Sequence, residues 1–288
     1  MLPVWRSHRG PNEVAASDSG RCGVRREIRR WLTGLADALF PLICRDCGRF
    51  FAHADGAGHS PLTQGETIVP GFQTAMAGHF CPACRQRWTP VTSPLCSRCG
   101  QVFKSRAGDD HLCGRCLEEP GAFNRARALG VYEGSLRTAI QALKFKGVAT
   151  LADPLGRLLL AGFRQYWPTG DIDIVAPVPL HRRRFRQRGF NQAYLLIRGW
   201  DLPAGSVVLR DLLVRRRATA PQTGLDRRQR RMNLKAAFAP RRPGQATGKR
   251  VLLVDDVLTT GATADACARA LLQDGAARVD LLTLARAM

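Results

Sequence analysis

After Pro120 the hydrophobic positions fall into short blocks whose period switches repeatedly between two residues and about three and a half. In "RALGVYEGSLRTAIQALKFKG" an apolar run gives way to Leu136, Ile140 and Leu143, which share a helical face, so a strand followed by a helix is expected. "LADPLGRLLLAGFRQYW" reads as a second helix. "DIDIVAPVPL" reads as a buried strand over 172–176, stopped by Pro177 and Pro179, which lack the amide that a ladder needs. A helix in "FNQAYLLIRGW", a strand-like run in "VVLRDLLVRR", a core strand at 251–254, a helix in "ATADACARALLQDGA" and a last strand in "VDLLTLAR" follow. Strands that alternate with helices predict an α/β domain over 122–288 with a mostly parallel central sheet.

The first 120 residues carry a weaker pattern. In "VRREIRRWLTGLADALFP" the positions Ile28, Trp31, Leu32, Leu35 and Leu39 approximate a helical stripe, while residues 1–23 have no period and are expected to be disordered. The stretch 51–79 is glycine-rich and aperiodic, which predicts a flexible insertion at about 52–78. The apolar runs are far shorter than the roughly 20 residues of a membrane span, so no transmembrane segment is expected. The basic N-terminus is not followed by an apolar h-region, which makes the cytoplasm the default compartment.

Eight of the ten cysteines form four C-x-x-C units, at Cys44 and Cys47, Cys81 and Cys84, Cys96 and Cys99, and Cys113 and Cys116. Two thiolates on one tight turn occupy two corners of a tetrahedron, so two such turns close one zinc site. The first and third units are followed by Gly48 and Gly100, where a turn needs positive φ. The pattern predicts two consecutive structural Zn²⁺ ribbons within 24–119, a small domain ahead of the α/β domain; spacing alone does not exclude an interleaved pairing or an iron–sulfur cluster. A disulfide framework is disfavoured by compartment, and a redox motif lacks its βαβ setting. Ribbons of this size need the metal to hold a core, so chelation is expected to unfold the N-terminal third alone. His53, His59, His79 and His111 lie near the cysteines but are not needed where four thiolates are available. Cys22 and Cys267 are unpaired, and Cys267 sits in a helical pattern as a small buried hydrophobe.

Charge changes the picture for residues 181–250, which hold 17 arginines and two lysines against three aspartates, much of the net +21 of the chain. Such an excess is a solvated arginine-rich face, a surface for phosphates, or both at once. The 12 Phe, 5 Trp and 3 Tyr are not interleaved with these arginines, which argues against a base-stacking platform.

The stretch "VLLVDDVLTTGAT" at 251–263 joins a core strand, two acids and a short hydroxylated loop that leads into a helix. In parallel sheets ligands gather outside the carboxyl ends of the strands, and a helix N-terminus there favours an anion. The patterns of a triphosphate loop and of a dinucleotide fold are both absent, so a single phosphate is expected. Carboxylates beside it suit a vicinal diol or Mg²⁺, and a ribose 5-phosphate unit has both features. For the acids alone, a capped strand-end turn or a phosphoacceptor pair would serve as well.

The whole stretch resembles the 5-phosphoribosyl 1-diphosphate signature of type I phosphoribosyltransferases. With "APVPLHRRRFRQRGFNQA", "TAPQTGLDRRQRRMNLKAAF", "LKFKG" and the paired knuckles, the chain from residue 35 onward resembles the ComF family of bacterial competence proteins, including the GntX type. The resemblance implies that Asp255 and Asp256 accept ribose hydroxyls, directly or through Mg²⁺. It implies likewise that Thr259, Thr260, Gly261, Ala262 and Thr263 cradle the 5-phosphate, and that Val178, Pro179 and Leu180 meet pyrophosphate. Arg184 and Arg188, on an expected mobile loop, would neutralise it. Gln222, Leu225, Arg230, Asn233, Gly189, Phe190, Asn191 and Gln192 match the family pattern without an assignable chemistry; Lys144 is within reach of a phosphate but reads rather as a solvated helix lysine.

Two functions follow. One is an enzyme that transfers phosphoribose to an unknown acceptor, by displacement of pyrophosphate through an oxocarbenium-like state. The other is a single-stranded-DNA-binding protein of DNA uptake whose nucleotide site is a sensor or relic. A third role, with the ribbons as a docking surface for a partner such as a competence helicase, is compatible with either.

Overall fold

The structure is a computed structural model that describes Trp31, Leu39 and residues 41–52, 68–105, 107–216 and 237–288. Strands β1 (Leu42–Ile43) and β2 (Phe50–Phe51) pair antiparallel around the first C-x-x-C turn, where Gly48 has φ 75°. Three short helices follow: α1 (Ile68–Ala75), α2 (Pro82–Gln86) and α3 (Gly114–Glu118). Cys81 and Cys113 stand at the N-caps of α2 and α3, so each cluster joins a loop knuckle to a helix start.

The second half runs β3 (Ala126–Val131), α4 (Gly134–Phe145), α5 (Ala152–Tyr166), β4 (Ile174–Pro177), α6 (Arg182–Arg188), α7 (Gln192–Ile197), β5 (Val207–Val208), β6 (Leu213–Arg215), β7 (Phe238–Pro240), β8 (Arg250–Leu258), α8 (Ala262–Gln273) and β9 (Arg278–Arg286). Five strands make one parallel sheet in the order β3-β9-β8-β4-β5, as the alternation of elements predicts. From β4 the chain steps outward to β5, and from β8 it steps the other way to β9. The boundary between β4 and β8 is therefore the point where strand order reverses, which opens a crevice at their carboxyl ends.

Side chains of β8 alternate between two cores. Leu252 and Val254 join α4, α5 and α7 on one face, while Val251 and Leu253 join α8 on the other. Gly156 lets α5 and α7 approach, because a Cβ there would stand 2.5 Å from the Leu196 carbonyl oxygen.

Several expectations are corrected. The predicted flexible insertion holds α1, whose Phe72 is fully buried, as is the adjacent Met76, both in the core of the α5 face; Pro70 and Gly71 inside the segment read as loop residues and hide the helix. Residues 53–67 of that insertion lie outside the described residues, as do residues 1–23. Of the helix expected at 24–41, Trp31 and Leu39 are described; both are helical and exposed. The run 207–216 is two strands, since a turn at Arg210 and Asp211 sends β6 out of the sheet to pair with β7. The core strand extends to Leu258, because β9 continues to pair with it beyond the end of β4.

The ribbons pack against the α/β sheet. Cys44, Cys81 and Cys84 lie in the core of the α5 face, and Cys96, Cys99 and Cys116 in that of the α8 face. Between them, Thr89 and Val91 pair with the free edge of β3, through Val131 N to Thr89 O (2.8 Å) and Val91 N to Leu129 O (3.0 Å). The cysteine-rich segment thus straddles the sheet and covers an edge that would otherwise expose unpaired amides.

Candidate functional site

In each cysteine set the four sulfurs lie within 4.8 Å of one another: Cys44, Cys47, Cys81 and Cys84, and separately Cys96, Cys99, Cys113 and Cys116. The pairing is consecutive, not interleaved. Burial alone would raise Cys44 and Cys96, yet three backbone donors at each bring both thiols down to about 6. Cys84 and Cys116 are pushed up by burial and by neighbouring sulfurs, a repulsion that a divalent cation would relieve. Arg115 Nη2 adds a donor at 3.1 Å from Cys99 Sγ, and the buried Arg286 of β9 reaches the same sulfur at 3.8 Å. An all-thiolate set with amide and guanidinium donors around it fits Zn²⁺. His79 and His111 stand outside both sets, and His111 stacks on Phe103 at 4.1 Å. Cys267 is fully buried, as its helical pattern indicates.

At the crevice between β4 and β8, the Val178 amide donates to the Val254 carbonyl (2.8 Å) and ties the 178–180 segment to β8. The Val178 carbonyl accepts from Asn191 Nδ2 (3.1 Å), while Asn191 Oδ1 caps α7 by accepting from Ala193 N (3.0 Å). Asn191 therefore orders the loop. On the β8 side, Gly261 adopts φ 81° and α8 begins at Ala262, so the amides of Thr263 and Ala264 have no intrahelical acceptor. Thr260 Oγ1 accepts from Ala262 N at 3.4 Å, and Thr259 is exposed.

Strand alternation separates the two acids. Asp255 faces Cys267 and Arg215, whereas Asp256 faces Lys144, whose Nζ lies 2.7 Å from Asp256 Oδ1. Asp256 is 3% exposed, and its Oδ2 is buried without a hydrogen-bond partner. Burial first, and then the charge of Asp256, push Asp255 up to about 7, against the pull of Lys144 and Arg215. Lys144 is not the solvated lysine expected from its helical position: its side chain is 18% exposed and committed to an acid.

Arg184 and Arg188 lie on α6, a short helix where a mobile loop was expected. His181 Nδ1 accepts from Arg183 N at its start, and Gly189 closes it with φ 80°. Arg188 is held by Gln192 Oε1 at 2.6 Å and lies over the Phe145 ring at 5.4 Å. Arg184 and Arg188 meet Lys144, Leu180 and Gln192 around a cavity of about 550 Å³.

On the other side of α6, a cavity of about 980 Å³ is lined by six arginines, Arg182, Arg186, Arg210, Arg215, Arg216 and Arg241, with Phe185, Phe190 and Tyr194 among them. Its acid is Asp211, and Pro179 and Leu180 form its boundary with the crevice. The expectation that aromatics and arginines are not interleaved is corrected here: Phe185, Phe190 and Tyr194 already follow or sit among Arg182–Arg188 in the chain, and folding adds Arg210, Arg215, Arg216 and Arg241. Gln222, Leu225, Arg230 and Asn233 lie outside the described residues.

Two family models match the chain, a double zinc ribbon domain over residues 71–117 and a phosphoribosyl transferase domain over residues 191–288. A DNA utilization protein of Escherichia coli, YhgH, is 37% identical over 225 residues, spanning 73% of this chain and 92% of that protein. The chain belongs to the ComF family. Competence protein F of Haemophilus influenzae (33% identity, 72% of this chain, 90% of that one) and competence protein ComFC of Bacillus subtilis (26%, 72% and 83%) are further relatives. In this ComF-family chain the ribbon match begins after Cys44 and Cys47, which join their cluster by geometry alone. Among the described residues no helix is long and apolar enough to cross a membrane.

Proposed function

We propose that this ComF-family protein binds 5-phosphoribosyl 1-diphosphate with Mg²⁺ at the β4–β8 crevice and acts in DNA uptake and utilisation. The observation that carries the reading is the buried, unpartnered Oδ2 of Asp256 on β8, beside the Lys144 that lines the Arg184 and Arg188 cavity, since an orphaned carboxylate oxygen suits a cation or a hydroxyl. Asp256, with its free oxygen beside Lys144, is the residue that would hold Mg²⁺, and Asp255, turned to the other face of the strand, would reach only the ribose edge. Bound there, Mg²⁺ supplies charge neutralisation for a diphosphate leaving group.

The amides at the start of α8 take the 5-phosphate, with the helix dipole favouring an anion. Arg184 and Arg188, with the 178–180 segment, receive the diphosphate. Transfer needs a water-poor crevice and fixed positive charge more than a protein nucleophile, and the residues present supply those. The names of the relatives, which speak of competence and DNA utilization, support the process.

Calorimetry with Mg²⁺ and 5-phosphoribosyl 1-diphosphate tests the site: wild type binds, and Asp255→Asn with Asp256→Asn weakens binding about tenfold or more. Unchanged affinity in the double variant sinks the assignment.

A second reading is favoured by the larger cavity. Six arginines around three aromatic rings suit single-stranded DNA, with phosphates on guanidinium groups and bases on rings. Its affinity would fall steeply with salt through counterion release. Turnover would instead release pyrophosphate once an acceptor is supplied.

A further inference from the structure

Lys144 lies near the end of α4, and both partners of its ion pair with Asp256 are enclosed, at 18% and 4% side-chain exposure. One oxygen of the acid is paired and the other is orphaned. Such a pair is electrostatically balanced but incomplete in its hydrogen bonds, because a carboxylate offers about four acceptor positions. Lys144 also lines the cavity that holds Arg184 and Arg188, so its ammonium stands between the acid and a space already walled by two guanidinium groups. On the reading proposed above, that space receives the diphosphate.

We propose that Lys144 is an exchangeable counterion. It neutralises Asp256 while the site is empty. When Mg²⁺ and the diphosphate enter together, it yields the carboxylate to the cation and turns its ammonium to the diphosphate oxygens. The exchange leaves no buried charge unpaired at either stage. A lysine is suited to it, being a compact charge on a flexible four-carbon stem, whereas Arg188 is pinned by Gln192 and the Phe145 ring. Lys144 is therefore a positioning residue that couples the two ligands: Mg²⁺ alone must compete with it, and a metal-free diphosphate depends on it to offset the charge of Asp256.

The test compares wild type, Lys144→Gln and Lys144→Arg by calorimetry with three probes: Mg²⁺ alone, pyrophosphate alone, and 5-phosphoribosyl 1-diphosphate with Mg²⁺. Removing the competing ammonium makes Lys144→Gln bind Mg²⁺ alone about tenfold tighter, and pyrophosphate alone about tenfold weaker. Lys144→Arg keeps a cation against Asp256 and stays near wild type with Mg²⁺ alone. Opposite shifts are the signature, since a merely structural ion pair lowers the melting temperature and moves both affinities together or not at all. Either of those results overturns the proposal. If wild type fails to bind the third probe, the reading of the site falls first; if it binds and the opposite shifts are missing, only the exchange falls. Should Lys144→Gln not fold, Lys144→Arg decides, with a Mg²⁺ affinity raised tenfold counting against competition.

Discussion

Asp255 and Asp256 are neighbours in sequence and yet belong to opposite faces of the sheet. An extended chain turns successive side chains by about half a revolution, so a pair of acids in a strand cannot offer two parallel carboxylates. Asp255, partly buried near the thiol of Cys267, has its carboxyl pushed up to about 7 by burial and then by the charge of Asp256. A raised acid favours the neutral form in the fold. Its contribution to stability is complete below the ordinary carboxylate value near 4 and is lost as pH rises through 7. The melting temperature of Asp255→Asn relative to wild type is therefore expected to improve between pH 4 and 7 and to level off above. The gain at pH 8 should be about 3 °C or more over that at pH 4, read by thermal scans of the zinc-loaded protein without Mg²⁺. A pH-independent difference would show that Asp255 does not titrate in this window.

At the scale of elements, α5 carries a test of packing against propensity. Glycine in a helix interior is ordinarily improved by alanine, by about 1 kcal/mol. Gly156 is an exception, since its added methyl would meet the Leu196 carbonyl at 2.5 Å and push α7 away from α5. Gly156→Ala is expected to destabilise by roughly 1–3 kcal/mol, measured by denaturant titration. Because Asn191 caps α7 and also ties down the 178–180 segment, the same change should weaken diphosphate binding although it touches no ligand. The alternation of strands and helices was legible in the sequence. That α6 would be a capped helix was not, because seven residues with one apolar side chain carry no period and the His181 cap uses a residue rarely read as one.

For the whole molecule, the expectation of a separable zinc domain gives way to a segment clamped across the sheet edge. Arg286, the last residue of β9, is buried with its guanidinium toward Cys99 and Gln101, which joins the last strand to the second cysteine cluster. Chelation of zinc is therefore expected to lower the cooperative melting of the whole protein by on the order of 10 °C or more, with α/β helical signal lost in the same transition. A chelated protein that kept the helical signal of α5 and α8 to the original temperature would restore the separable unit.

The sequence by itself determined what depends on near neighbours and on period. Four C-x-x-C turns, an alternation of strands with helices, and a strand running into a helix N-terminus through one glycine are all local, and each carries its own geometry. Tertiary structure alone decided what depends on burial and on distant partners. Lys144 looks solvated on its own helix and becomes an enclosed counterion because β8 runs beneath it. Phe185, Phe190 and Tyr194 have arginines beside them in the chain, but Arg210, Arg215, Arg216 and Arg241 join them only when α6, α7, β6 and the segment after β7 close around one cavity. Charge and stacking act through space, and the chain's spacing along itself sets no such distance until the sheet has assembled.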